Sequence, residues 1–271
     1  MKWCITGGAG SLGKVLASRL ARADHTVRVL DINEADLASM RHRNIRTIYG
    51  SVTDPESVEL AIQGVDCIVH AAALKNLDIS EYNIKELVRT NIMGSLNVAV
   101  AAMTACVPTC ILVSTDKAVY PTTAYGVTKL MAEKIWLWAH RIAPATRFLV
   151  LRSGNFTTAR GNVFEVWKAQ ERRGEPLTVT DLNMQRYYIE TETVAEILEE
   201  MGDPLSRNRP GGGSIVIPKM DSYLIQDLLH KHYPHSQYRI IGRRPGEKMC
   251  EQLWTSDEHV VAECALWRVV Q

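Results

Sequence analysis

The chain has 271 residues, a formal net charge of +1, 46% hydrophobic residues and 23% charged residues, which is typical of a folded globular protein. This length allows one large domain, or one domain with a smaller lobe. The small net charge gives no reason to expect nucleic acid or an anionic membrane as a partner. No apolar run reaches the length of a membrane span, and we expect no signal peptide. The six cysteines lack Cys-x-x-Cys spacing, which predicts reduced thiols in a cytoplasmic protein.

Short apolar segments alternate with amphipathic helical patterns through the first 150 residues. Helical patterns include 11–23 and 83–105, and strands are predicted at 3–6, 27–31, 45–49, 67–70, 110–114 and 147–152. Strands separated by helices need crossover connections, which are right-handed and produce a parallel sheet covered on both faces. The sequence therefore predicts an α/β fold with a doubly wound parallel sheet.

The regular alternation ends near residue 153, beyond which glycine and proline become more frequent. A helix over 192–201 and a strand over 214–217 are expected to return to the main domain. We therefore expect a main domain over 1–153, rejoined by about 189–217, and a small lobe made of 154–188 and 218–271. Such a lobe would cover the carboxyl ends of the strands, where ligands bind in open α/β sheets.

A glycine-rich turn follows the first predicted strand and opens the first helix. Residues 6–13 read Thr-Gly-Gly-Ala-Gly-Ser-Leu-Gly, so Gly8, Gly10 and Gly13 have G-x-G-x-x-G spacing. Glycines at these positions allow a tight turn and bring backbone amides close to a pyrophosphate at the helix N-terminus. The sequence therefore predicts a dinucleotide site that includes Gly7, Gly10, Ser11, Leu12 and Gly13.

An acidic residue, Asp31, ends the second predicted strand, eighteen residues after Gly13. A carboxylate here accepts hydrogen bonds from both ribose hydroxyls and repels a 2′-phosphate, which favours NAD over NADP. Val52, Asp54 and Ala71 follow the next strands and are further candidates for cofactor contacts. For Asp54 the alternative is an N-cap of the following helix.

The segment 114–129 reads STDKAVYPTTAYGVTK and carries the candidate catalytic residues. Asp116 and Lys117 follow the fifth predicted strand, and Tyr125 and Lys129 share one face of the next helix. A nearby ammonium lowers the pKa of a phenol, so Tyr125 is expected to act as a base near neutral pH. With a dinucleotide at hand, an acid, an amine and an activated phenol can carry out oxidation, elimination and reduction on one sugar. A chance Tyr/Lys pair on an ordinary helix is the alternative.

The glycine motif and Tyr-x-x-x-Lys resemble the extended short-chain dehydrogenase/reductase superfamily. Further segments resemble the UDP-N-acetylglucosamine 4,6-dehydratases of the polysaccharide-biosynthesis group: HAAALK at 70–75, TNIMG at 90–94, STDKA at 114–118, TVTDLNMQR at 178–186 and RPGEK at 244–248. The Tyr125-Gly126 form is similar to the C5-inverting enzymes of pseudaminic acid synthesis. The resemblance covers about 3–271 and implies a Rossmann-type fold, a UDP-sugar substrate and a homo-oligomer, dimer or hexamer.

The resemblance also implies a role for each candidate. Tyr125 would take the proton of the sugar 4-hydroxyl, which Thr115 hydrogen-bonds, while the C4 hydride passes to NAD. A neutral Lys117 would then remove the C5 proton, and a protonated Asp116 would donate to the departing 6-hydroxyl, before the hydride returns to C6. The implied substrate-binding residues, for which structural salt bridges are the alternative, are Lys75, Asn155, Arg186, Arg244 and Glu247. No metal is expected, and the competing functions are a UDP-sugar 4-epimerase and a non-catalytic dinucleotide sensor.

Overall fold

The computed structural model describes residues 1–77 and 79–271. The strands are β1 (Lys2–Thr6), β2 (Thr26–Asp31), β3 (Ile45–Tyr49), β4 (Cys67–His70), β5 (Thr109–Thr115), β6 (Arg147–Ser153), β7 (Asn155–Phe156), β8 (Leu177–Val179), β9 (Gln185–Ile189), β10 (Ser214–Pro218), β11 (Asp221–Leu224), β12 (Tyr238–Ile240), β13 (Val260–Glu263) and β14 (Trp267–Val270). The α-helices are α1 (Ser11–Arg22), α2 (Glu34–Ser39), α3 (Pro55–Ile62), α4 (Leu77–Ser80), α5 (Ile84–Leu87), α6 (Gly94–Thr104), α7 (Ala124–Ile142), α8 (Val163–Arg172), α9 (Thr191–Gly202) and α10 (Ile225–His232).

The main sheet contains nine strands in the order β13-β14-β10-β6-β5-β4-β1-β2-β3. All neighbours from β10 to β3 pair in parallel. The order 3-2-1-4-5-6 within it is that of doubly wound nucleotide-binding sheets. The predicted fold class is therefore confirmed, and the six predicted strands differ from β1–β6 by no more than one residue at either end.

Two layers of helices cover the main sheet because the side chains of each strand alternate between its faces. In β1, Trp3 and Ile5 join a core with residues of α1 and α9. Cys4, between them, joins a second core with residues of α3, α6 and α7. Both faces are apolar, so the polar groups that could serve a ligand are concentrated at the carboxyl ends of the strands.

The predicted helix over 83–105 is a helical run with a π-helical segment, Val88–Met93, between α5 and α6. Buried Asn91 lies in this segment, and its side-chain oxygen accepts a hydrogen bond from Leu74 N at 2.8 Å. Its amide donates to Leu74 O at 2.9 Å. Short π segments are frequent near functional sites, and this one fixes the loop that follows β4.

Two small sheets lie outside the main sheet, with strand orders β11-β9-β7 and β12-β8. Their side chains share an apolar core with α8 and α10 that includes Trp167, Leu177 and Leu228. The predicted lobe boundary needs one correction, because β13 and β14 pair with the main sheet rather than with the lobe. Trp267 and Val269 of β14 bury their side chains in the main core, which explains this pairing. The division into a main domain and a lobe remains our interpretation.

Candidate active site

A cavity of about 760 Å³ is lined by the glycine-rich turn and by several residues from the segments 178–188 and 244–251. This volume lies within the usual range for small-molecule sites. The cavity walls include most of the candidate residues: Gly7, Gly10, Ser11, Leu12, Gly13, Asp31, Val52, Ala71, Lys75, Thr115, Lys117, Tyr125, Lys129, Asn155, Arg186, Arg244 and Glu247. The fold therefore brings together two sets of residues that the sequence assigned to a cofactor and to a substrate.

The glycine-rich turn is shaped by close backbone contacts at its two outer glycines. Gly7 has φ +67°, and a Cβ atom there would lie 2.5 Å from Ala72 N. A Cβ atom on Gly13 would lie 2.4 Å from the Cα atom of Gly8, so α1 could not approach the turn. A Cβ atom on Gly10 would meet only Gly7 O, at 3.1 Å. The space in front of the α1 N-terminus is therefore suited to a pyrophosphate.

Asp31 is held at the carboxyl end of β2 by two backbone amides. Its Oδ2 accepts from Ala9 N at 2.9 Å, and its Oδ1 accepts from Asn33 N at 2.9 Å. These bonds fix the carboxylate beside the glycine-rich turn and leave further lone pairs for ribose hydroxyls.

Asp54, a candidate for a cofactor contact, is not among the residues that line the cavity. It is the N-cap of α3, and its carboxylate accepts from Glu56 N and Ser57 N. Hydrogen bonds from Ser57, opposed by partial desolvation, lower the pKa of Asp54. The structure therefore shows the N-cap role of Asp54, and a cofactor contact by this residue remains a prediction.

Arg160, which the sequence analysis missed, links the lobe to the glycine-rich turn. Its backbone N donates to Ser11 Oγ at 3.0 Å, and its guanidinium makes two hydrogen bonds to Asp36, at 2.7 and 2.8 Å. Lys75 Nζ donates to Arg160 O at 3.1 Å. Lys14 also pairs with Asp36, and the hydrogen bonds from Arg160 and Lys14 lower the pKa of the Asp36 carboxyl. The substrate contact expected of Lys75 remains a prediction, because in this structure its amine holds the Arg160 segment.

Asp116 and Lys117 form an ion pair in a short 3₁₀ turn directly after β5. Asp116 is fully buried, and its Oδ1 accepts from Thr115 Oγ1 and from Lys117 Nζ, each at 2.9 Å. Burial disfavours the charged Lys117, but the carboxylates of Asp116 and Glu251 outweigh it and raise the pKa of Lys117. The structure thus holds a charged pair, with Lys117 in the cavity wall and Asp116 behind it.

Tyr125 and Lys129 both lie near the start of α7, as predicted. Lys129 is buried, and its Nζ donates to Val113 O of β5 at 2.7 Å. Burial lowers the pKa of Lys129 to about 8, against the opposing effect of Glu133. Burial also raises the pKa of Tyr125 to about 12, and the nearby cation that lowers it is Lys117. Lys117 is therefore a cation that favours the phenolate of Tyr125 in this structure, and the expected action of Lys129 on the phenol remains a prediction.

Arg186 lies in the cavity wall, but its guanidinium mainly fastens the segment that follows β12. It donates to Met249 O at 3.1 Å, to Lys248 O at 2.9 Å and to Gln185 O at 2.8 Å. These contacts are the structural alternative to phosphate binding, which remains a prediction for Arg186.

The other expected substrate residues also lie in the cavity wall. Glu247 Oε2 accepts from Arg244 N at 3.0 Å. Asn155 Nδ2 donates to Tyr187 O at 3.1 Å, which leaves its side-chain oxygen as a potential acceptor. Their substrate contacts remain predictions.

A buried ion network lies beneath α7, the helix that carries Tyr125 and Lys129. Arg152 is 1% exposed and bonds Glu133 of α7 at 2.7 Å and both carboxylate oxygens of Glu258, at 2.7 and 2.9 Å. Ser114 Oγ donates to Glu133 Oε1 at 2.6 Å. The network joins β5, β6, α7 and the C-terminal segment. No sequence motif indicated it, because its members are far apart in the chain.

Two kinds of feature are absent from residues 1–77 and 79–271. No helix there is long and apolar enough to cross a membrane. No group of three or more His, Cys, Asp or Glu side chains there could hold a metal ion.

Comparison with known sequences agrees with this geometry. The profile of the family described as "Polysaccharide biosynthesis protein" matches residues 3–266. The chain belongs to this family. Among curated members, it is 37% identical over 264 residues to the UDP-N-acetylglucosamine 4,6-dehydratase (inverting) of Campylobacter jejuni, covering 94% of this chain and 77% of that protein. It is 32% identical over 276 residues to the UDP-glucose 4-epimerase of Rickettsia massiliae, covering 96% and 79%.

Solved structures show that the family fold extends over nearly the whole chain. The structure of Pen from Bacillus thuringiensis has a TM-score of 0.91 and 30% identity, covering 99% of this chain and 88% of that one. DesIV, the dTDP-glucose 4,6-dehydratase of Streptomyces venezuelae solved with NAD and TYD, has a TM-score of 0.83 and 21% identity, covering 93% and 88%. The second likeness shows the shared fold alone.

Proposed function

We propose that this polysaccharide biosynthesis family member is an NAD-dependent nucleotide-sugar 4,6-dehydratase that acts on UDP-N-acetylglucosamine and inverts C5. The observation that carries the proposal is the Asp116–Lys117 pair, with Nζ and Oδ1 2.9 Å apart. Its Lys117 lies in the wall of the cavity that also includes Tyr125 and the glycine-rich turn, and Asp116 lies directly behind it. An enzyme that only exchanges hydride at C4 has no need of a second acid–base pair. The relative from Campylobacter jejuni, named for the inverting dehydration, supports the same reaction.

NAD fits the groove at the α1 N-terminus. The open space at Gly10 suits the pyrophosphate, and the fixed carboxylate of Asp31 suits the ribose hydroxyls and disfavours a 2′-phosphate. When bound, NAD supplies the hydride acceptor and a positively charged ring. The structure of DesIV, which has the same fold, was solved with NAD, and this supports NAD rather than NADP as the cofactor.

Tyr125 is the group placed to take the proton of the 4-hydroxyl during oxidation at C4. Burial raises its pKa to about 12, and Lys117 is the nearby protein cation that opposes this. A second positive charge in the site would lower the pKa of the phenol further. Thr115 also lies in the cavity wall and is suited to orienting the same hydroxyl.

The Asp116–Lys117 pair can supply both the base and the acid of the elimination from a single proton. Transfer of that proton from Lys117 Nζ to Asp116 Oδ1, across 2.9 Å, converts the ion pair into a neutral amine and a carboxylic acid. The amine then takes the C5 proton, the acid gives its proton to the departing 6-hydroxyl, and water leaves. This step returns the pair to the ammonium and carboxylate from which it started. With the hydride returned to C6, C5 must take up a proton, and uptake on the face opposite Lys117 inverts C5. The proton that Tyr125 took from the 4-hydroxyl balances this uptake, so the reaction is a net loss of water with no net oxidation.

For the substrate, we propose that Asn155, Arg244 and Glu247 contact the nucleotide diphosphate and its ribose. Lys75 and Arg186 would contribute at the same cavity only if they exchange some of their present partners. We also propose a cytoplasmic homo-oligomer, in keeping with the use of a nucleotide sugar.

The test is to incubate the purified protein and NAD with UDP-N-acetylglucosamine and to follow the nucleotide sugar by mass spectrometry. Loss of one water from the sugar, with no accumulation of reduced NAD, supports the dehydratase. An unchanged mass with conversion to the galacto isomer would instead show a 4-epimerase, the activity named for the relative from Rickettsia massiliae. Binding of NAD without any conversion would contradict both.

A further inference from the structure

A second carboxylate, Glu251, lies close to Lys117 and was not among the residues expected at the site. Its Oε1 is 3.8 Å from Lys117 Nζ, and its Oε2 is 3.2 Å from Lys248 Nζ. Glu251 is 7% exposed and lies in the cavity wall together with Lys117 and Lys248. Asp116, Lys117, Glu251 and Lys248 therefore form a chain of alternating charges.

The outer half of this chain is fixed by its own contacts. Lys248 Nζ donates to Val119 O at 2.6 Å, two residues beyond Lys117. Arg186 donates to the carbonyls of Lys248 and Met249, which holds the segment that carries Glu251. The position of Glu251 is therefore set from two sides, by the turn after β5 and by β9.

Two carboxylate oxygens in the chain of charges are left without hydrogen bonds. Asp116 Oδ2 and Glu251 Oε2 are both buried and accept none from the part of the protein that the structure describes, although Lys248 Nζ is near the latter. Buried polar atoms in folded proteins are nearly always hydrogen-bonded, because desolvation is otherwise uncompensated. In a purely structural ion cluster these two oxygens would accept hydrogen bonds, so their lack of hydrogen bonds favours a role at the cavity.

We propose that Glu251 is a positioning residue for Lys117 that keeps the working proton within the Asp116–Lys117 pair. This inference rests on the proposed function, in which that single proton serves both the base and the acid of the elimination. A negative charge 3.8 Å from Lys117 Nζ favours the ammonium over its loss of a proton to solvent. Lys248 limits this effect, because its positive charge offsets that of Glu251.

The charged and titratable groups around Lys117 determine the sign of the effect. Asp116 and Glu251 favour its ammonium, whereas burial and Arg186 of β9 oppose it. Tyr125 of α7 and Tyr188 of β9 also interact with its charge. Loss of the Glu251 carboxylate should therefore lower the pKa of Lys117, and loss of the Lys248 ammonium should raise it.

The reactivity of Lys117 tests this prediction without relying on the substrate. Trace acetylation with acetic anhydride at about pH 9 modifies only neutral amines, so mass spectrometry reports the neutral fraction of Lys117 relative to exposed Lys85. In Glu251→Gln we expect Lys117 to react about tenfold faster, since a charge at this distance shifts a pKa by about one unit. In Lys248→Met we expect slower reaction than in the wild type. Glu251→Asp, which keeps the charge, should rescue the wild-type rate.

The pH profile of dehydration gives the second measurement. The alkaline limb of kcat should move to lower pH in Glu251→Gln and to higher pH in Lys248→Met, whereas damage to the fold would not give opposite shifts. Unchanged Lys117 reactivity in Glu251→Gln, or shifts of the same sign in both variants, would overturn the proposal. If the wild type forms no product but the reactivity of Lys117 changes as expected, the proposed function fails and the electrostatic role of Glu251 stands.

Discussion

The glycine-rich turn at 6–13 and the C-terminal segment at 244–258 both contribute to one cavity, but they are built in different ways. In the turn, main-chain geometry makes the site: a Cβ atom on Gly7 or Gly13 would overlap backbone atoms within 2.5 Å. In the C-terminal segment, side chains make the site, through ion pairs from Glu251 and Glu258 to Lys117 and Arg152. The first region depends on local sequence, and the second depends on residues more than 100 positions away.

Because of this difference, we expect the glycine-rich turn to govern cofactor binding and the C-terminal segment to govern the proposed acid–base chemistry. Substitutions in the turn should act on cofactor binding and on the packing of α1. Substitutions around the C-terminal segment should act on the charge of the catalytic pair or on the attachment of that segment. Each prediction below compares a change in one of the two regions with a matched control.

The largest effect is expected at Lys117, the proposed catalytic residue, which contacts the C-terminal segment. Lys117→Met removes the base and the source of the shared proton, so dehydration should fall by about 10²- to 10⁴-fold. NAD binding should persist, because the glycine-rich turn is untouched. Product formation and NAD binding by calorimetry measure the two effects, with exposed Lys85→Met as the control. Wild-type dehydration by Lys117→Met would show that the elimination does not need this amine.

Arg152 tests how firmly the C-terminal segment is attached. Arg152→Met leaves the buried Glu133 without its cation, and breaking such a buried pair costs about 3–5 kcal/mol of unfolding free energy. Denaturant unfolding measures the loss. Arg43→Met breaks an exposed pair with Asp24 and should leave the transition midpoint unchanged. Equal effects in the two variants would contradict the importance of the buried network.

Gly13 tests the main-chain origin of the cofactor site. In Gly13→Ala the added methyl would lie 2.4 Å from the Cα atom of Gly8, so α1 must move, at a cost of about 1–3 kcal/mol. We expect a lower unfolding temperature and weakened NAD binding. Gly211→Ala, where nothing lies within 4 Å of the added methyl, is the control and should behave as the wild type. Normal NAD binding by Gly13→Ala would refute the close-packing explanation.

The last prediction concerns the pH dependence of stability, which we expect from a buried histidine beneath the glycine-rich turn. His70 is buried between Thr6 Oγ1 at 2.6 Å and Ser95 Oγ at 3.0 Å, and burial, with the charge of Lys129, lowers its pKa to about 3. Ser95 donates its own proton to Asn91 O, so His70 Nε2 must donate and Nδ1 must accept. The neutral ring stabilises the fold fully above pH 6.5, and this stability is lost as the pH falls from 6.5 towards 3.

Unfolding free energy should therefore decrease by up to about 1.4 kcal/mol per pH unit in this window through His70. His70→Gln should have a flatter profile between about pH 6 and 4. His230→Gln, at an exposed position, should retain the wild-type slope. Parallel profiles for the wild type and His70→Gln would show that the buried ring does not couple folding to protonation.

Local sequence was sufficient for strands β1–β6 and β10, for the glycine-rich turn, for the position of Asp31 at the end of β2 and for the helix that carries Tyr125, because each depends on spacing within a short segment. It was insufficient where partners are distant. Arg160 meets Asp36 across 124 residues, and no local pattern indicates that meeting. The hydrogen bond from Lys129 to Val113 O was missed for the same reason, and so was the effect of Lys117 on the pKa of Tyr125. The strands β13 and β14 were missed because short apolar segments near a chain end do not specify which sheet they join.

Proton NMR of the reaction with UDP-N-acetylglucosamine in heavy water tests the central claim most directly. An elimination by Asp116 and Lys117 predicts a growing C6 methyl signal, deuterium at C5 and a coupling pattern that shows inversion at C5. Appearance of the galacto isomer without a methyl signal would contradict the account, because Asp116 and Lys117 would then have no elimination to carry out.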